Sequence, residues 1–156
     1  MEKQSKFHVQ SIGSPLPVWN EIKSWMTDDA GGLETEGNFL GVFDGETMAG
    51  AFLIKPWSEF CYEIHGGVHP DYWGQGKQIC LTLGWGLFQS TPCLKIVAII
   101  PEFNRLMRKC VKAAGLKKEG VISKAYVKNM KAHDLYIYGI SRGDGFKFTP
   151  QSNSIF

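Results

Sequence analysis

No stretch of this 156-residue sequence is long and apolar enough for a membrane-spanning helix. The longest apolar runs, around Ile96–Ile100 and Leu81–Phe88, suit buried elements. The start, Met1–Gln10, carries Lys3 and Lys6 with no apolar run behind them, so it does not read as a signal peptide. Cysteine is scarce. Cys61, Cys80, Cys93 and Cys110 form no C-x-x-C pair, and no Cys/His cluster has zinc spacing, so no metal is expected. They read as buried, reduced thiols of a cytoplasmic protein. The sequence also lacks internal repeats, low-complexity segments and linkers, which leaves one unit: residues 1–142 as a single domain and 143–156 as a tail. Charged residues are 21% and hydrophobic residues 44%, which excludes a disordered chain.

Charge is small in sum, at +2, but unevenly placed. Met1–Leu94 carries five Lys/Arg against eleven Asp/Glu, whereas Lys95–Phe156 carries twelve against four. A basic second half suits an anion site, for a polyphosphate or for nucleic acid. Solvated faces of one helix and two strands give the same pattern.

Lys6–Ile12 reads as a strand. Ser14-Pro15 gives an N-cap and a first-turn proline, and apolar residues from Leu16 to Met26 recur at three- and four-residue spacing. The spacing predicts a helix over Pro15–Met26, followed by an acidic loop over Thr27–Gly37. Asn38–Phe43 and Thr47–Lys55 flank Asp44-Gly45-Glu46, a hairpin signal. Phe60–His69 is a third strand of that block. A glycine-rich loop, a helix over Gly76–Gln89 and an apolar strand over Leu94–Ile100 follow. A helix over Pro101–Ala114 ends at Gly115. Leu116–Lys128 and His133–Ser141 are the last strands. The expected class is α/β (α+β), a mixed sheet with helices on its faces.

One segment carries chemistry: Val68-His69-Pro70-Asp71-Tyr72-Trp73-Gly74-Gln75-Gly76-Lys77-Gln78. It leaves a strand and opens a helix. Two glycines let the backbone turn tightly, and the first helical turn offers N–H donors and a positive dipole end. Such a turn suits a pyrophosphate, with Lys77 adding charge. A plain structural turn has the same pattern.

The pattern V-x-P-x-x-W-G-x-G before a helix resembles the pyrophosphate motif of the GNAT acyltransferases, and most of all the RimJ/RimL-like type. Downstream, Ile99–Leu116 keeps the family's spacing between Asn104 and Gly115-Leu116. Lys118-Glu119-Gly120 and Asp134–Gly139 are similar to the closing strands of such proteins, and Asn38–Ala51 to the usual hairpin. The resemblance spans about residues 36 to 142. The chain is also similar to small GNAT-like proteins of bacteriophages.

The resemblance implies a mostly antiparallel central sheet with a V-shaped cleft between the strand of Val68 and that of Ile96–Ile100. It implies acetyl-CoA as cosubstrate without a metal. Val68 would meet the pantetheine through its main chain, and Gly74, Gln75, Gly76, Lys77 and Gln78 would hold the pyrophosphate. Asn104 would touch the cofactor arm, cap the following helix, or do both. Arg105, Arg108, Lys109 and Lys112 would meet nucleotide phosphates or solvent. Side-chain alternation puts Glu63, His65 and Gly67 on one strand face. Glu63, then His65, is the expected base for the amine. The alternatives are an exposed strand residue for Glu63 and a satisfied, partly buried imidazole for His65. Val111 stands where many family members carry a general-acid tyrosine, and Gln78 where a small residue is usual. Tyr136 or Tyr138 would supply the acid, or would simply pack. Trp19, Trp25, Phe39, Phe52 and Trp57 would line an acceptor pocket or fill the core.

The implied reaction is acyl transfer from acetyl-CoA to a primary amine by direct attack in a ternary complex. The acceptor would be a small molecule, a protein or a modified nucleobase. The setting would be the cytoplasm (a host's, if viral), with no membrane and a monomer or homodimer. The alternatives are a non-catalytic GNAT-fold binding or virion module, favoured by Val111 and Gln78, and a nucleic-acid binder using the basic half.

Overall fold

A computed structural model describes residues 5–13, 19–26 and 38–144. The expected helix start at Ser14-Pro15, the acidic loop Thr27–Gly37 and most of the tail lie outside the described residues. So does the side chain of Trp19.

The chain runs β1 (Phe7–Gly13), α1 (Trp19–Ser24), β2 (Asn38–Asp44), β3 (Thr47–Pro56), β4 (Cys61–Val68), a 3-10 turn (Pro70–Gln75), α2 (Gly76–Ser90), β5 (Lys95–Pro101), α3 (Arg105–Ala113), β6 (Lys117–Lys128) and β7 (Lys131–Ser141). The strands form a seven-stranded sheet in the order β1-β2-β3-β4-β5-β7-β6. Among the described strands only the β4–β5 pair is parallel, because the 3-10 turn and α2 cross over between those strands. The mixed α/β class is as the sequence pattern predicts, and the mostly antiparallel sheet is as the family resemblance implies.

Neighbouring residues of β3 show how the layers divide. Phe52 enters a core with Ile79, Leu83 and Val111, so α2 and α3 cover that face. Ala51 enters a smaller cluster with Ile22 and Trp25, so α1 covers the other. A strand alternates its side chains, and β3 is therefore buried along most of its length. Phe39 and Phe52 are core residues, as is Trp25 in the smaller cluster, whereas Trp57 is exposed.

Three boundaries differ from the sequence reading. The third helix begins at Arg105, not Pro101, because Pro101 is still in register with Leu135 on β7 and Asn104 caps the helix. The glycine-rich loop is a 3-10 turn, started by Pro70 and by the Asp71 N–H donating to His69 Nδ1 at 3.0 Å. β7 starts at Lys131 because Asn129 and Met130 both take positive φ, +51° and +63°, and close a two-residue hairpin. Of the cysteines, Cys93 and Cys110 are buried as expected, but Cys61 and Cys80 are half-buried, and all four are free thiols. Among the described residues no helix is long and apolar enough to cross a membrane.

Candidate active site

The parallel ladder between β4 and β5 is short. It pairs Cys61 with Lys95, Tyr62 with Ile96 and Glu63 with Val97, and there it stops. β4 continues to Val68 against β3, and β5 continues to Pro101 against β7. The two strands part, and a V-shaped gap opens in the sheet.

Backbone direction decides what faces that gap. Trp57 N donates to Cys61 O, and His69 N donates to Ala49 O. With the continuous β3–β4 register, these bonds assign the odd-numbered residues of β4 to β3. Ile64, Gly66 and Val68 therefore turn their N–H and C=O groups toward the gap, beyond the last rung. The Val68 carbonyl accepts the Trp73 indole N–H at 2.8 Å. That bond gives the motif's tryptophan a role: it ties the 3-10 turn to the end of β4. Gly66 has no room for a side chain, since a Cβ would press on the Phe52 ring and backbone.

A cavity of about 270 Å³ fills the gap. Ile64 and Gly66 wall it on one side, Ile99 and Ile100 on the other, with Cys80 and Leu83 of α2, Met107 of α3 and Asn104, which precedes α3. It is mostly apolar, as ligand cavities are. Burial pushes the Cys80 thiol up to about 12, helped by the neighbouring Cys110 thiol.

At the start of α2, Gln75 makes no side-chain cap, and the first turn holds no acidic residue. Gly76 N donates to Trp73 O, so the donors left at the helix mouth are those of the following residues. Lys77 and Gln78 are exposed, so the Gln78 side chain does not fill the gap. The glycines differ. A Cβ at Gly74 would meet nothing within 4 Å, whereas one at Gly76 would collide with Cys110 Sγ. Gly76 is thus required for α2–α3 packing whatever it does for a ligand.

Asn104 does what helix chemistry asks of it. Its Oδ1 accepts the Met107 N–H at 3.1 Å, and the residue also lines the cavity. Arg105, Lys109 and Lys112 are exposed on α3, while the Arg108 guanidinium stacks over the Tyr136 ring at 5.2 Å.

Glu63 is 9% exposed, not a surface strand residue. Its Oε1 accepts the Trp57 indole N–H at 2.9 Å, and its Oε2 contacts His65 Nε2. His65 lines the cavity and Glu63 stands behind it. The sequence reading put these two on one strand face, Glu63 as the first expected base and His65 as the second, and it missed Trp57 as a partner. The hairpin pairs Lys55 with Glu63, which makes Trp57 a neighbour of the carboxylate, but only the register says so.

Tyr138 is not brought to this group. It pairs with Ala98 on β5, one residue on from Val97, so its side chain takes the opposite face from Glu63. Tyr138 is fully buried under α2 and α3 and is not part of the cavity wall. Burial pushes its phenol up, partly offset by the Arg108 guanidinium. The tyrosine that does line the cavity is Tyr126 of β6, its ring tilted at 56° against that of Phe103 with centroids 5.6 Å apart. Among the described residues no group of three or more His, Cys, Asp or Glu side chains is placed to hold a metal ion.

Fold and cleft define a class: a mixed α/β protein whose sheet splits beside its parallel pair. The particular fold is that of the GNAT-family acetyltransferases. A GNAT-family acetyltransferase from Bacillus anthracis shares it with a TM-score of 0.70 at 16% identity, over 90% of this chain and 97% of that one. A GNAT family acetyltransferase from Elizabethkingia anophelis, with acetyl-CoA bound, gives 0.67 at 11% identity, over 88% and 99%. The ribosomal-protein-S5-alanine acetyltransferase from Vibrio fischeri gives 0.64 at 14% identity, over 90% and 95%. At such identities the likeness establishes the fold. No protein-family model and no curated protein matches the sequence.

Proposed function

We propose that this chain is an acyl-CoA-dependent N-acyltransferase that passes an acetyl group from acetyl-CoA to a primary amine. The observation that carries the reading is the parting of β4 and β5 after Glu63 and Val97, with a cavity of about 270 Å³ between them. An extended chain such as pantetheine can add to the exposed edge of a strand, and Gly66 and Val68 turn N–H groups that way. The uncapped mouth of α2 fits a diphosphate, with Gly74 leaving the approach open and Lys77 adding charge. Gln75 and Gln78 sit in the same turn. Asn104 flanks the cavity from the end of α3.

When bound, acetyl-CoA supplies the acyl group already activated as a thioester. The chain's own part is small: orient the amine, accept its proton and protonate the departing sulfur. On this reading Glu63 and His65 serve the first proton transfer and Tyr126, on the cavity wall, the second.

The test is calorimetry with acetyl-CoA, then thiol release against a panel of primary amines. Gly76→Glu is a poor control because any side chain there strikes Cys110. Lys77→Glu is better: the position is exposed, and a carboxylate suits a helix N-terminus. Wild type should bind, and Lys77→Glu should bind at least about tenfold less tightly, a loss of ~1.4 kcal/mol. Absence of heat with wild type overturns the proposal.

A second reading has its own support. Val111 occupies the usual general-acid position and is buried, and Tyr138 does not reach the cavity. A non-catalytic module of this fold would bind a partner without releasing thiol.

A further inference from the structure

We propose that the outer edge of β6, with the exposed side of α3 beside it, is a docking surface for an acidic, extended segment of a partner polypeptide. The inference does not depend on the acyltransferase reading, because no residue of this surface lines the cavity.

From Arg105 to Lys131 the chain carries nine Lys/Arg and one acidic residue, Glu119. That carboxylate is already held, by Lys95 Nζ at 2.5 Å. Asp134 of β7 accepts the Lys124 N–H at 2.9 Å. The two basic elements bring their charges together. The Arg108 guanidinium of α3 and Lys118 Nζ of β6 both lie over the Tyr136 ring, 5.2 and 3.6 Å from its centre. Like charges over one ring repel, and a carboxylate beside them offsets that cost. Lys117 and Lys124 of β6 and Lys109 and Lys112 of α3 are exposed around this pair.

Among the described strands β6 is outermost, so one side of its backbone is unpaired. Glu102 N donates to Asp134 O and Arg142 N to Leu94 O, which assigns the even-numbered residues of β7 to β5. The odd-numbered ones bond to β6, at Gly120, Ile122 and Tyr126 among others. Val121 and Val127 therefore turn their N–H and C=O groups outward. Register shifts after Lys118 and Ile122 leave two short free stretches, one around each valine. Among the described residues, half of the exposed large hydrophobic side chains sit here: Val121, Ile122, Val127 and Met130. Lysines and bulges keep an edge from pairing with a copy of itself, since Lys118 and Lys124 would meet their own kind. They do not repel an acidic strand. Nucleic acid would find charge but no free ring to stack on, because Tyr136 lies under Arg108 and Lys118 and Tyr126 lines the cavity. An acidic strand with interspersed apolar residues meets the free backbone, the cations and the exposed valines at once.

Fluorescence anisotropy with a labelled peptide that alternates glutamate and valine tests this, beside a lysine–valine peptide and a single-stranded oligonucleotide. The expected result is saturable binding of the acidic peptide, weakened by salt, and none of the basic one. Lys118→Glu should weaken it at least about tenfold. Val121→Pro should abolish it with far-UV circular dichroism unchanged, because that N–H lies outside the ladder with β7. Val121→Thr keeps the N–H and should bind within about threefold of wild type. Amide exchange on wild type reads the edge without a substitution: bound peptide should slow the Val121 N–H, and an unslowed amide sinks the added strand. No binding of the acidic peptide, or equal binding of the basic one, overturns the proposal. So does an oligonucleotide that binds more tightly and ignores Val121→Pro, which would make the surface one for nucleic acid. A dimer in sedimentation that Val121→Pro dissolves would give the edge to a second copy instead.

Discussion

Glu63 and Val97 stand side by side as the last rung between β4 and β5. Everything proposed for the site hangs on that rung. On one side of it the strands share hydrogen bonds, and on the other their backbone groups face a gap. The rung sets Glu63 at the vertex, with His65 two residues into the opening.

Asn104 caps α3 and lines the cavity, and two substitutions separate these duties. Asn104→Ala should cost about 0.5–2 kcal/mol of stability through the lost cap. Asn104→Asp should keep the cap and lose less stability than Asn104→Ala, but weaken acetyl-CoA binding, because it puts a charge on an apolar cavity wall. Thermal denaturation and calorimetry on the same samples check both. A stable Asp variant that binds as tightly as wild type would remove Asn104 from the ligand.

Gly76→Ala should destabilise by about 1–3 kcal/mol, since the new methyl meets Cys110 Sγ. Cys110→Ala in the same chain should restore much of that. A double-mutant cycle in urea reads the coupling, and additive losses would show that the collision is relieved elsewhere.

Burial holds the Cys80 thiol at about 12 against an ordinary value of 9.0. At pH 8 its thiolate fraction should be about a thousandfold below that of an ordinary cysteine, so native protein should resist iodoacetamide at Cys80. The folded state keeps its proton across that window, while the unfolded chain releases it. Stability from this group is therefore full below pH 9 and lost as pH climbs toward 12. Mass mapping of alkylated sites checks the first expectation. Alkaline denaturation checks the second, with a shallower slope expected for Cys80→Ala.

On the proposed reading, Tyr126→Phe should slow thiol release by about tenfold or more, while Tyr138→Phe should change it less than about twofold. Tyr126 lines the cavity, and Tyr138 is sealed beneath the helices on the opposite face from Glu63. Steady-state rates with one amine acceptor decide. Equal losses would mean that neither phenol is placed as described.

Arg142 lies at the edge of the segment expected to be tail, yet it is anchored. Its guanidinium donates to the carbonyls of Cys93 and Thr91, at 2.8–3.1 Å, and stacks over Phe88. Arg142→Ala should lower the urea midpoint with an unchanged m-value, by about 1–3 kcal/mol. An unchanged midpoint would count against that anchor.

Local physics made most of the elements legible. Asp44-Gly45 announced its hairpin because Gly45 takes φ +60° at no cost. The Asn129-Met130 hairpin was missed because methionine gives no such signal, although it adopts the same kind of backbone. Asn104 was recognised as a cap three residues before its partner Met107, but Pro101 was placed in the helix because nothing local says that β7 still claims it.

By itself the sequence determined the order of elements, the turn from β4 into α2 and the shared face of Glu63 and His65. Each follows from backbone stereochemistry and side-chain period over a few residues. Only the tertiary structure decided where the β4–β5 ladder ends, that His65 stands in front of Glu63, that Trp57 folds back onto the carboxylate, and that Tyr126 lines the cavity where Tyr138 does not. Those depend on register between strands far apart in the chain, and a strand's own sequence does not encode its partner's position.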